Sequence, residues 1–221
     1  MNINSFKGTL YDLLGYFAPG LVAWIGGFAA FLRLSNTPNI FAALRAAISD
    51  LSVFETFVII IAVYVLGHGI ASASSYLIEK KLLSIIRPLR NSVDAQKIFG
   101  NAHYAVFCRK YETIFQTPYD TGSIRRVICY VQAKQPAVYE TALIFLSFYG
   151  MARNLAGTSW LFSIVEIAFL IQARGSLSIL ILLAGLGFLF LYEYIRFRKY
   201  YLETILSGFL IPEKEAREAN S

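Results

Sequence analysis

The sequence predicts an all-α integral membrane protein with four transmembrane helices, and three observations lead there. Hydrophobic residues make up 57% of the 221 residues, and mean hydropathy is +0.55, well above the range of soluble domains. Apolar windows long enough to cross a ~30 Å hydrocarbon core occur at Tyr16 to Leu34, Phe54 to Tyr76, Ala142 to Ile171 and Leu177 to Ile195. Strand-like alternation is absent, which argues against a β-barrel.

The segments follow in chain order. In 1–15, Phe6, Leu10, Leu13 and Leu14, continued by Phe17, share one helical face with Lys7 and Asp12 opposite, which predicts an amphipathic interfacial helix. Residues 16–78 form the first transmembrane hairpin, with Pro19 near the start of its first span, where a missing N–H costs little. Its connecting loop holds Ile40, Phe41, Leu44, Ala47, Ile48 and Leu51 on one face, predicting a second short interfacial helix. Residues 79–138 make a small helical lobe: one helix continues the second span through Leu83, Ile86 and Leu89. A second carries Ile98, Phe99, Phe107, Tyr111, Ile114 and Phe115, and a third, capped by Asp120 or Thr121, carries Ile124, Val127, Ile128 and Val131. So small a lobe buries little by itself, so it should pack on the helix extensions and on neighbouring subunits. Residues 139–206 form the second hairpin, closed by the tight "QARGS" turn, and 207–221 a charged tail. The third window exceeds one crossing, so it should tilt or protrude.

Basic residues set the expected orientation. Lys80, Lys81, Arg87, Arg90, Lys97, Arg109, Lys110, Arg125, Arg126 and Lys134 lie between the second and third windows, and Arg196, Arg198, Lys199, Lys214 and Arg217 follow the fourth, whereas the opposite loops hold Arg33, Arg45 and Arg174. The positive-inside rule then puts both termini and the lobe in the cytoplasm. Topology accounts for most of the +6 net charge, so the basic and aromatic stretches "FCRKYETIF" and "SIRRVICYV" point to a protein partner or anionic lipid rather than to direct nucleic-acid binding. Cys108 and Cys129 lack CxxC spacing and fall in the reduced cytosol, so neither a disulfide framework nor a zinc knuckle is expected.

Within the second span, "GHGIASASSYLIEK" places His68, Ser72, Ser75 and Glu79 on one side of a helix, beside a small-residue ridge of Gly67, Ala71 and Ser75. Lipid tails drive no hydrophobic association between helices, so close backbone approach and interhelical hydrogen bonds must hold a bundle together. This face should therefore meet protein. Glu140, Arg153, Glu166 and Glu193 also lie near membrane depth, where a charge costs at least ~2.5–3.5 kcal/mol and is usually paired or turned inward. Arg153 is expected to pair with Glu193 or to contact His68, or else to snorkel to the headgroups. Glu166, flanked by "FSIV" and "IAFLIQ", is the best candidate for a buried polar contact or a pore-lining position. Ala184, Gly185 and Gly187 offer another site of close packing. No GxSxG elbow, HExxH pair or glycine-rich phosphate loop occurs, so a non-enzymatic protein without a metal or cofactor is expected.

At "YDLLGYFAPG" and "YVLGHGIASASSYLIEKK" the chain resembles small multi-pass membrane proteins of bacterial anti-phage defence operons, including the membrane subunit of Kiwa-type systems and the membrane accessories of some CRISPR systems. The resemblance implies a homo-oligomeric membrane sensor or effector that works with a cytosolic partner through the 79–138 lobe and perturbs the membrane. The alternative is a small oligomeric channel or transporter subunit lined by His68, Arg153 and Glu166.

Overall fold

The structure, a computed structural model, describes residues 11–37, 39–82 and 95–211. Phe6, Lys7 and Leu10 of the expected surface helix, the continuation through Leu83, Ile86 and Leu89, and tail residues 212–221 lie outside the described residues. Among those described, the secondary structure is entirely helical, and four helices are long and apolar enough to cross a membrane. In chain order the elements are α1 (Leu13–Leu34), α2 (Ile40–Ser49), α3 (Val53–Leu82), α4 (Ala95–Phe115), a 3₁₀ turn (Thr121–Ser123), α5 (Ile124–Lys134), α6 (Pro136–Ile171) and α7 (Leu177–Leu210). The four candidate spans are α1, α3, α6 and α7.

Local chemistry explains the boundaries. Asn39 caps α2 by accepting from the Ala42 N–H at 3.0 Å. At the start of α3, Ser52 and Glu55 form a reciprocal capping box, each side chain accepting from the other's backbone N–H. Two stretches are π-helical, Leu13–Phe17 at the start of α1 and Ser75–Leu82 at the end of α3. The expected lobe helix through Ile98, Phe99 and Phe107 is in fact two, because Gly100 interrupts α4 at φ 69° and ψ 167°, a conformation open to glycine and costly for any side chain. Asp120 accepts the Ser123 hydroxyl at 2.7 Å ahead of α5. That hydrogen bond holds its carboxyl below the usual carboxylate range.

The chain divides into two compact units. One holds Asp12–Lys80 and Gly150–Tyr192, the other the described residues between 81 and 149 and between 193 and 211. In the second unit the lobe does not stand on its own residues. Its core joins Phe107 and Tyr111 of α4 and Val127 and Val131 of α5 to Ala142 at the start of α6 and Ile205, Leu206 and Phe209 at the end of α7. The reason is length. At ~1.5 Å per residue the 36-residue α6 and the 34-residue α7 extend well past a ~30 Å hydrocarbon core. Their excess turns supply the apolar surface that so short a lobe lacks. Phe209 lies at the centre, with ring centroids 5.3 Å from Phe107 and 5.1 Å from Tyr130. Neighbouring Gly208 lets α7 close on α6, since a Cβ there would come within 2.6 Å of Val138 Cγ1. The core therefore reaches past residue 138, into segments whose sequence reads as second hairpin and tail.

Candidate functional site

In the unit formed by Asp12–Lys80 and Gly150–Tyr192, α1 and α3 cross with their backbones in contact. A Cβ on Gly67 would collide with the Tyr16 carbonyl, and one on Gly20 would collide with the Val63 carbonyl and stand 2.9 Å from the Gly67 nitrogen. Of the small-residue ridge, Gly67 and Ala71 are buried and Ser75 is half-buried. A different small residue brings α3 to α6: Gly157 faces the Ser74 side chain so closely that a Cβ would strike its hydroxyl. On α7, Gly187 is the close-approach residue, its α-carbon against the Trp160 indole; Gly185 faces open space, and Ala184 is half-buried beside it.

The first polar cluster arises from Pro19. The sequence suggests that this proline opens a helix, yet the chain is already helical before it, with Asp12, Phe17 and Ala18 all in the right-handed α region. A proline inside a helix has no N–H for the carbonyl four residues back, and its ring crowds that carbonyl. Here the carbonyl belongs to Gly15. The π turn over Leu13–Phe17 widens the helix at that point, and Asn154 of α6 donates its side-chain N–H to the Gly15 oxygen at 2.6 Å. Asn154 is 1% exposed, so this bond replaces the one the proline removed in a place water does not reach. Asn154→Leu is expected to cost about 1–3 kcal/mol by leaving the carbonyl unsatisfied. In a Pro19→Ala background, where residue 19 regains its N–H, the same change should cost much less; a double-mutant cycle of denaturation midpoints measures the difference.

Arg153 belongs to the same cluster and departs from expectation. Its partner is Glu79, at 2.8 Å, rather than Glu193, and its Nε donates to Asn154 Oδ1 at 3.1 Å. Glu79 also accepts the Ser75 hydroxyl at 3.0 Å across one turn of the π-helical end of α3. Glu193 instead lies 3.4 Å from Arg196 on its own helix. Ser72 donates to the His68 carbonyl at 3.0 Å. The His68 ring is stacked on Tyr16, with centroids 3.9 Å apart, and meets Tyr64 edge-on at 4.7 Å.

A second cluster gathers around Glu166, which is 4% exposed. One carboxylate oxygen accepts from Arg33 of α1 at 2.8 Å, and the other accepts the backbone N–H of Ser176, which precedes α7. Arg33 also sits over the Phe169 ring, 5.1 Å from its centroid. Glu166 thus fixes three chain segments at once. A buried carboxylate is tolerable because a guanidinium and a backbone donor replace its water. Three further buried polar residues of α6 satisfy themselves locally: Ser147, Thr158 and Ser163 donate to the carbonyls of Leu143, Asn154 and Ser159.

Gly15, Gly20, Ser74, Asn154 and Gly157 are the contact residues that sequence reasoning missed. Pro19 carried a usable signal, because a proline within a helical pattern predicts an orphan carbonyl four residues earlier.

On the lobe, a groove of ≈ 590 Å³ is lined by Phe115, Cys129 and Tyr130 with Gly122, Arg125 and Arg126. Arg125, Arg126 and Cys129 lie on the exposed face of α5, opposite the buried Val127 and Val131. Arg126 donates to the Thr117 hydroxyl at 3.1 Å, which steadies it at the rim.

No protein-family model matches this chain, and no match is found among curated proteins or solved structures.

Proposed function

We propose that the protein is a non-enzymatic, homo-oligomeric component of a bacterial inner membrane that receives a cytosolic partner on its lobe and relays that event to its spans, as a sensor or effector of anti-phage defence. The basic residues of the lobe and tail favour a cytoplasmic location for both, together with the amino terminus.

The lobe groove is the observation that carries this reading. It combines an aromatic floor with two exposed arginines, the residue types that dominate protein-binding hot spots. The helix presenting them is anchored by Val127 and Val131 in a core that includes the ends of α6 and α7, and both of those helices continue through apolar stretches long enough to cross a bilayer. A partner seated in the groove would therefore bear on a core that holds the ends of two candidate spans.

Affinity capture from phage-infected cells, combined with a membrane-potential dye, tests the proposal. The wild-type protein should retain a cytosolic partner and depolarise the membrane on infection. Arg125→Glu with Arg126→Glu should lower partner recovery at least tenfold and abolish depolarisation at unchanged membrane abundance. A strictly monomeric protein with neither partner nor depolarisation would overturn the reading.

The second reading, an oligomeric channel, is favoured by the exposure of His68 and Ser72 on α3. It requires ion flux in reconstituted vesicles that changes with His68→Ala and Glu166→Gln; flux indifferent to both removes it.

A further inference from the structure

A cleft of ≈ 470 Å³ opens along α3, lined by Tyr16, His68, Ser72, Tyr76, Lys80 and Arg153 among others. Every ionisable side chain that lines it is basic or phenolic, and none is a carboxylate. Arg153 is held in position by Glu79 and by Asn154, so its guanidinium reaches the cleft already oriented. Lys80 is exposed and sits 5.8 Å from the Tyr76 ring centroid. His68 is clamped by two tyrosine rings, and its ring nitrogens make no hydrogen bond among the described residues.

Depth along the helix sharpens the chemistry. Measured from Val53 at ~1.5 Å per residue, His68 lies about 22 Å along α3 and Lys80 about 40 Å, against a hydrocarbon thickness of ~30 Å. With Val53 set at the opposite edge of the hydrocarbon, the cleft begins within the hydrocarbon and ends in the headgroup layer. Exposed polar groups at such depth are costly unless a polar partner covers them. A ligand that enters sideways from the lipid and carries oxyanions would satisfy the cations at one end and the imidazole and hydroxyls further in.

We propose that the cationic end of this cleft is a binding site for a phosphate group, with Lys80 and Arg153 as its positive charges, presented by an anionic phospholipid headgroup or by a free phosphate. Arg153, with Nε and Nη1 already engaged by Asn154 and Glu79, supplies a fixed guanidinium charge, and Lys80 supplies a flexible point charge. The site does not depend on a defence role, because its occupancy is read on purified protein without partner or phage.

Thermal unfolding of the full chain in dodecyl maltoside, titrated with phosphatidylglycerol, phosphatidylcholine or inorganic phosphate, provides the test. Phosphatidylglycerol should raise the midpoint more than phosphatidylcholine does. Lys80→Gln should weaken the apparent affinity read from that titration about fivefold, the worth of one interfacial lysine, and His68→Gln should weaken it in the same direction for the lipid, through the rest of the headgroup. Both positions are exposed, so both variants should keep the wild-type helical circular dichroism. If inorganic phosphate alone reproduces the shift with the same dependence on Lys80, the site stands and its phosphate is a free solute. The proposal is overturned if neither source shifts the midpoint, if both variants respond as wild type does, or if a second copy of the chain covers the cleft and excludes both ligands.

Discussion

Gly67→Val should prevent α1 and α3 from assembling. The added Cβ would meet the Tyr16 backbone, which cannot rotate away as a side chain could. The helices would have to separate, which also removes the Gly20 approach to Val63 and the stacking of Tyr16 on His68. Overpacking of a well-packed core typically costs about 1–3 kcal/mol, and more where backbone must move. Gly67→Val is placed at or above the top of that range. Gly69 is the matched control. It lies two residues on and is exposed, with nothing within 4 Å of a built Cβ. Gly69→Ala should be neutral or stabilise by up to about 1 kcal/mol through helix propensity. Equal loss of helicity in both variants, followed by circular dichroism during titration with dodecyl sulfate, would contradict the crossing.

The second large effect concerns Arg33. Arg33→Leu should destabilise by about 3–5 kcal/mol, because it leaves the Glu166 carboxylate buried with only the Ser176 N–H for compensation. The arginine side chain is 24% exposed against 5% for the glutamate, which places the cost toward the lower end of the range. Adding Glu166→Leu should restore much of the loss, since the stranded charge disappears and an apolar side chain fills its place. The double variant being more stable than Arg33→Leu alone is the diagnostic result. If Arg33→Leu by itself lies within about 0.5 kcal/mol of wild type, the pair contributes nothing to holding α1 against the α6–α7 turn.

Much of this fold is legible in the residues because hydrocarbon is an undemanding reader. Apolar length alone marks α1, α3, α6 and α7, since a helix is the cheapest way to satisfy every backbone group away from water. The periodicity of Val127, Val131, Phe107 and Tyr111 likewise marked which faces of the lobe helices turn inward, and all four are buried. Gly67 was recognisable as a packing residue, and Glu166 as a buried polar contact. What resisted reading was partnership. Arg153 had Glu193 and His68 as plausible neighbours in span order, but its partner Glu79 lies in the π-helical end of α3, whose wider turn shifts side chains off the ordinary helical periodicity. Arg33 read as a loop charge, and only the juxtaposition of α1 with α6 made it the counter-ion of Glu166.

The sequence by itself determined the all-helical class, the four helices long and apolar enough to cross a membrane and the lobe helices' inward faces, because these follow from transfer energies and local periodicity that each residue carries wherever it sits. The tertiary structure alone decided how Pro19 is compensated, which charges pair, and that the lobe core is completed by the ends of α6 and α7. The pairings depend on distances between segments more than 70 residues apart, as with Arg153 and Glu79 or Asn154 and Gly15. No local preference encodes such a distance; it exists only once the helices have packed.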